Sequence, residues 1–190
     1  RFIKGRIYGI TGPNGCGKTT FANIASGLLK ISKGKIFLDN KKLKKNEYIN
    51  PSEISYIVQE PSILNESFIN NIFFKKNNLT SSEYSNFQYL SKKLNMIKFV
   101  PSKKIMGENG KNLSGGQKQK ISIMRGLLKE SKILILDEFT NTLDKFAIKN
   151  LFTHLEKEKK NKIIKIISHD EKVLRICNKV YRMNVLDDKK

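Results

Sequence analysis

Apolar positions along the chain fall into short runs with two periodicities. Residues 6–11 (RIYGIT) are nearly all apolar or β-branched, the pattern of a short buried strand. Beyond a glycine-rich stretch, residues 18–30 space Phe21, Ile24, Ala25, Leu28 and Leu29 three and four apart, which predicts an amphipathic helix. Gly34 interrupts the pattern, and residues 35–39 (KIFLD) read as a second strand ending in an Asp-Asn turn. Residues 41–50 are polar and lysine-rich, as in a surface loop. Residues 54–58 (ISYIV) read as another strand, and from about 60 to 100 helical spacing broken by Asn and Ser takes over. A loop is expected at 107–112 and a helix at 114–128, opening on Ser-Gly-Gly. A fully apolar strand follows at 133–136, then a helix at 147–158 and a strand at 162–167. Strands alternating with helices predict an α/β layered fold with a parallel core sheet, and no internal repeat is present.

Composition narrows the class. The 190 residues suffice for one domain with a sizeable core. No apolar stretch approaches the roughly 20 residues that span a bilayer. The opening residues lack the apolar region of a signal peptide. Membrane contact is therefore expected to come from another chain, or from a part of the polypeptide outside these residues. Cys16 and Cys177 are too few for a disulfide framework and read as two free thiols of a reducing compartment. The net charge of +20 admits two readings. One is a nucleic-acid or membrane-surface partner. The other is coding bias, favoured because the excess is nearly all Lys and comes with abundant Asn and Ile. Only Arg1, Arg6, Arg125, Arg175 and Arg182 are arginines, whereas basic binding sites also use Arg for phosphate forks. A basic surface would also suit a position under anionic lipid head groups.

Chemistry enters at the first turn. Gly12-Pro-Asn14-Gly15-Cys16-Gly17-Lys18-Thr19 fits the phosphate-loop pattern in full, with an apolar strand before it and an amphipathic helix after it. Glycines let backbone N–H groups curl around an anion, and the helix N-terminus adds partial positive charge. Lys18 supplies a point charge for the β- and γ-phosphates, and the Thr19 hydroxyl can ligate Mg²⁺. Far downstream, the apolar strand ILIL ends in Asp137 and Glu138. Ligands of open parallel sheets gather at the carboxyl ends of strands. Asp137 can there reach Mg²⁺, directly or through water, and Glu138 can polarise the attacking water as a general base. A helix cap or surface pair is the plainer alternative for the two carboxylates.

Leu113-Ser114-Gly115-Gly116-Gln117-Lys-Gln119 resembles the signature motif of ATP-binding cassette (ABC) proteins, and it lies between the phosphate loop and the acidic strand in that family's order. Ser114, Gly115 and Gly116 open a helix N-terminus able to hold an anion, although an ordinary Ser N-cap would look similar. The resemblance extends over almost the whole chain. It implies a phosphate-loop NTPase fold of one domain, residues 1–190, with a core of residues 1–59 and 115–190 and a helical subdomain of about 60–114. It implies ATP and Mg²⁺ as ligands, with Thr20 joining the phosphate-loop contacts. Ser114 to Gln117 would meet the γ-phosphate held by a second cassette, so that two cassettes, identical or not, sandwich two ATP molecules head to tail. Gln59 is similar to the Gln that touches Mg²⁺ and water. Asp144, in Asn-Thr-Leu-Asp, is similar to the loop crossing to the partner cassette, and His169 to the switch His at the γ-phosphate. His154 takes no role.

The segment from Gln59 to Ile72 and the loop Gly107-Glu108-Asn109-Gly110 are similar to those of exporters of the multidrug or peptide/bacteriocin type. Asp170, after His169, departs from the Arg more usual there. This resemblance implies an ATPase motor at the cytoplasmic face of a membrane, coupled to a transmembrane domain in the same or another chain. Lys4-Gly5-Arg6 matches a turn inside the family's domain. The first strands, and the aromatic residue that stacks on adenine, are accordingly expected upstream of residue 1, and the C-terminus (VYRMNVLDDKK) is expected to belong to a longer polypeptide. The competing function is a soluble cassette acting on ribosomes or nucleic acid, supported only by the +20 charge. A cassette that binds ATP without turnover is disfavoured by Lys18, Gln59, Glu138 and His169.

Overall fold

The computed structural model describes residues 1–44, 49–74, 79–100 and 105–185. Parts of the lysine-rich stretch at 41–50 and of the helical stretch at 60–100, together with the last five residues, lie outside them. The chain clusters into two compact units.

The first unit comprises Arg1–Tyr56, Ser131–Asp137 and Lys159–Lys190. It begins with β1 (Ile7–Thr11) and α1 (Lys18–Ala25). The helix is shorter than the apolar spacing predicts. Ser26 caps it with its amide on the Ala22 and Ile24 carbonyls, and the backbone turns at Gly27, leaving Leu28 and Leu29 exposed. The strand expected at 35–39 does not join the main sheet either. β2 (Phe37–Leu38) pairs antiparallel with β3 (Lys41–Lys42) around Asp39 and Asn40, whose φ values are 49° and 64°. Two successive left-handed residues make a two-residue hairpin turn, so the run folds back on its own sequel.

The main sheet is completed by β4 (Ile54–Ile57), β5 (Ile133–Asp137), β6 (Ile163–Ile167) and β7 (Lys179–Arg182), in the order β4-β5-β6-β1-β7. The pairs β5–β6, β6–β1 and β1–β7 are all parallel. Alternation puts Ile10, Ile133, Ile135 and Ile167 on one face, where they pack with Ala22 of α1 and with Ile54. The core-strand assignment at 133–136 holds because every residue of β5 is buried. Buried charge also stands on this face: Asp137 at its carboxyl end and Lys165 in its middle. Lys165, in register with Ile135 and Tyr8, is only 7% exposed. Its Nζ lies 4.4 Å from the Phe2 ring centroid and 5.5 Å from that of Phe21, and burial lowers its pKa from 10.5 to about 8.

The second unit comprises Ile57–Glu130 and Glu138–Glu158. It holds α2 (Phe68–Phe73), α3 (Ser81–Lys93), α4 (Gly115–Leu128) and α5 (Lys145–Glu158), with α4 against α2 and α3, and α3 against α5. The ring of Phe68 anchors this core, 5.3 Å from Phe87 and 5.8 Å from Phe99 between centroids. Side-chain caps start each of the first three helices: Ser67 on α2, and reciprocal capping boxes of Thr80 with Glu83 on α3 and Ser114 with Gln117 on α4. Arg125 of α4 donates to the Asn71 and Ser62 carbonyls and to Asn71 Oδ1, and stacks 4.8 Å from the Phe74 ring.

Candidate nucleotide-binding site

In the first unit, β1 leads through the glycine-rich turn into α1. Gly12 is compelled by close approach: a Cβ there would lie 2.3 Å from the Met183 carbonyl oxygen and 2.7 Å from Cys16 Sγ. Lys18 reaches back over the turn and donates from Nζ to the carbonyls of Gly12 at 2.9 Å and Pro13 at 3.0 Å. The ammonium is thereby held at the mouth of the amide-lined loop, where an anionic phosphate would take it over. Asn14, Gly15, Thr19 and Thr20 are exposed around it, and Cys16, Gly17 and Lys18 are half-buried. Cys16 and Cys177 are both free thiols, and burial pushes the Cys177 thiol up to about 11.

Asp137 ends β5 and is 6% exposed. Its Oδ2 accepts a 2.9 Å hydrogen bond from the Tyr56 hydroxyl of β4. Burial first, and then the Asp137 carboxylate, pushes the Tyr56 pKa above its ordinary value, so the phenol stays protonated and keeps donating. His169 is exposed two residues past β6. The preceding Ser168 is buried, with its amide on the Ile10 carbonyl of β1, and its Oγ accepts from the Asp170 amide. Asp170 then caps α6 (Glu171–Leu174). Because β5, β6 and β1 are parallel neighbours, the phosphate loop, Asp137 and His169 share one edge of the sheet, at its carboxyl ends.

The second unit carries the remaining predicted residues. Gln59 is exposed just past β4. Glu138 sits at φ 44°, a left-handed conformation costly for a residue with a Cβ, and its Oε2 is shielded from solvent. Ser114 accepts from the Gln117 amide while Gln117 Oε1 accepts from the Ser114 amide. Gly116 is required by proximity, since a Cβ would lie 2.5 Å from the Thr142 carbonyl oxygen. Lys120 Nζ meets Asp144 Oδ2 at 2.6 Å, and Asp144 Oδ1 accepts the Ala147 amide at the start of α5. The Lys120 hydrogen bond, then the amide, holds the Asp144 carboxyl below its ordinary value. An open recess of about 390 Å³ lies here, bounded by Asn95, Ser114, Gly116, Lys120 and Asp144.

Thr19 and Asp137 offer a hydroxyl and a carboxylate, the hard oxygen donors that Mg²⁺ prefers. Among the described residues no group of three or more His, Cys, Asp and Glu could enclose a metal. Mg²⁺ is usually bound through one or two protein oxygens together with phosphates and water, a demand that Thr19 and Asp137 can meet.

Sequence reasoning missed Tyr56 and Lys120. Tyr56 is one apolar-pattern residue in a strand, and its one signal is that a half-buried Tyr needs a partner for its hydroxyl. Lys120 reads as one more lysine in a lysine-rich chain.

A family model described as ABC transporter matches residues 1–141. The chain belongs to the ABC transporter family. As an ABC cassette it is an ATPase module. Among its relatives are the ATP-dependent lipid A-core flippases of Wigglesworthia glossinidia brevipalpis, 35% identical over 173 residues (87% of this chain, 29% of that protein), and of Vibrio parahaemolyticus, 29% identical over 191 residues (97% and 32%). The chain thus spans about three-tenths of the length of these relatives. A bacterial Atm1-family ABC exporter with ATP bound superimposes with a TM-score of 0.82 at 21% identity, over 96% of this chain and 33% of that one. A dimeric ATP-binding cassette in a post-hydrolysis state with ADP and Pi gives 0.77 at 21% identity, over 97% and 85%. These two likenesses establish the cassette fold. Among the described residues of the ABC chain, no helix is long and apolar enough to cross a membrane.

Proposed function

We propose that this cassette is the ATP-driven motor of an exporter at the cytoplasmic face of a membrane, working as a head-to-tail dimer with a second cassette. The observation that carries the reading is the gathering of the phosphate loop, Asp137 and His169 along the carboxyl edge of three adjacent parallel strands. In this reading residues 60–114 form a helical subdomain set into a core of residues 1–59 and 115–190. The backbone N–H groups of Gly12 and of Asn14 to Thr20, with the Lys18 ammonium, hold the triphosphate. Thr19, Asp137 and Gln59 hold Mg²⁺, which when bound neutralises charge on the β- and γ-phosphate oxygens. Glu138 accepts a proton from the attacking water, and His169 contacts the γ-phosphate. Ser114 to Gln117 and Asp144 serve the nucleotide bound by the partner cassette.

ATP favours the closed dimer because only that state brings both halves of each site onto the nucleotide, and hydrolysis removes the preference. The second unit exposes Leu64, Phe74 and Ile105 near the segment from Gln59 to Gly110, a surface suited to helices of a transmembrane domain. This segment and the likeness to the flippases support the exporter class. Cargo is chosen by the transmembrane part. The test is Mg-ATP hydrolysis by the full chain as a function of its concentration, for the natural protein and Glu138→Gln. Specific activity is expected to rise with concentration, and to fall about 100- to 10,000-fold in the variant while ATP binding persists. Activity independent of concentration and unaffected by the substitution overturns both the dimer and the base.

A further inference from the structure

The geometry points to Tyr56 as the residue that sets how Asp137 presents itself to the metal, making it a positioning residue for the Mg-nucleotide. This rests on Asp137 being a metal carboxylate. Tyr56 lies in β4 and Asp137 at the end of β5, neighbouring strands of the sheet, so both ends of the hydrogen bond stand on rigid backbone. The hydroxyl donates to Oδ2 at 2.9 Å. Asp137 is almost wholly buried and Tyr56 half-buried, so solvent competes little for this bond.

A carboxylate on a single Cβ can turn about its last torsion and offer a metal one oxygen or two. A donor on Oδ2 removes that freedom and fixes the direction from which the carboxylate meets the ion, directly or through water. Mg²⁺ demands near-ideal octahedral geometry at about 2.1 Å, so a misdirected ligand weakens its binding. Ca²⁺, larger and content with six to eight ligands, accepts bidentate carboxylates. Tyr56 therefore holds the ligand in place, which matters more for Mg²⁺ than for the flexible shell of Ca²⁺. Hydrogen-bond partners of metal-binding carboxylates typically change metal affinity by 10- to 100-fold when removed.

The test uses the full chain and two variants that delete only the hydroxyl or replace the ring with an apolar chain, Tyr56→Phe and Tyr56→Met, with Asp137→Asn as reference. Binding of ATP is measured first in EDTA, then with increasing Mg²⁺ or Ca²⁺, and thermal unfolding is followed in parallel. Both Tyr56 variants are expected to bind metal-free ATP within about twofold of the natural chain. They should need on the order of tenfold more Mg²⁺ for the same enhancement, and lose less of their response to Ca²⁺. If Asp137→Asn abolishes the metal response while the Tyr56 variants keep the natural Mg²⁺ and Ca²⁺ curves, the positioning role is refuted. Variants that lose metal-free binding and thermal stability together refute it too, because Tyr56 is then only packing. An unchanged metal response in Asp137→Asn sinks the underlying metal assignment instead, and this inference with it.

Discussion

Replacing Lys165 with methionine should make the protein more stable at neutral pH. The side chain stands on the sheet face that packs against α1, 7% exposed, with the Phe2 and Phe21 rings beside its ammonium. Its pKa falls from 10.5 to about 8 through burial. At 1.36 kcal/mol per pH unit, keeping the charged form in the fold costs about 3 kcal/mol at pH 7. The ring contacts return about 1 kcal/mol of this, which leaves a net penalty of about 2 kcal/mol. Methionine keeps the unbranched stem in the core and removes the charge. The sign with pH follows from proton counts. Between about pH 8 and 10.5 the unfolded chain holds a proton that the folded one has released, so the natural protein gains stability as pH rises through that window. The advantage of Lys165→Met should therefore shrink from about 2 kcal/mol at pH 7 to below about 1 kcal/mol at pH 10. Chemical denaturation of both proteins at the two pH values measures it, given equal slopes. A variant less stable than the parent at pH 7, or a difference that does not move with pH, would refute the reasoning. The lysine would then have a compensating partner, or the site would admit water.

Alkylation with N-ethylmaleimide should abolish nucleotide binding by modifying Cys16, whose sulfur lies against Gly12 inside the phosphate loop, and bound ATP should protect it. Cys177, with its thiol pushed up to about 11 by burial, should label far more slowly, which peptide mass mapping resolves. Unchanged nucleotide affinity after complete modification of Cys16 would contradict the loop's role. Asp144→Ala removes the acceptor for the Ala147 amide at the start of α5 together with the partner of Lys120, and should cost about 1 kcal/mol at neutral pH. Since the folded carboxyl lies below its ordinary 3.8, this contribution is present above that pH and fades as pH falls through it, so the two denaturation curves should converge in acid.

Much of the candidate site could be read from the chain because its parts are local. The strand, glycine turn and helix around Lys18 lie within consecutive residues, although the tightest contact that excludes a side chain at Gly12 comes from the distant Met183 carbonyl. The α4 start is equally local: Ser114 and Gln117 are three residues apart and satisfy one another's amides. The helix predicted to residue 30 failed where a local signal was overlooked, since Ser26-Gly27 stops a pattern that Leu28 and Leu29 only extend. The strand at 35–39 failed because periodicity reports that a segment is extended and says nothing about its partner. β7 went unread because its exposed, mixed residues carry no apolar alternation.

The sequence by itself determined the phosphate loop, the acidic end of β5, the capped signature helix and the alternating α/β plan. Each depends on torsions, hydrogen bonds or side-chain periods within a few residues. Only the tertiary structure decided that Tyr56 meets Asp137 across 81 positions, that Lys120 meets Asp144, and that Lys165 is buried between aromatic rings. Those contacts follow from strand order and register. A run of apolar residues is compatible with many neighbours, and only the simultaneous burial of every strand's face selects one set of them.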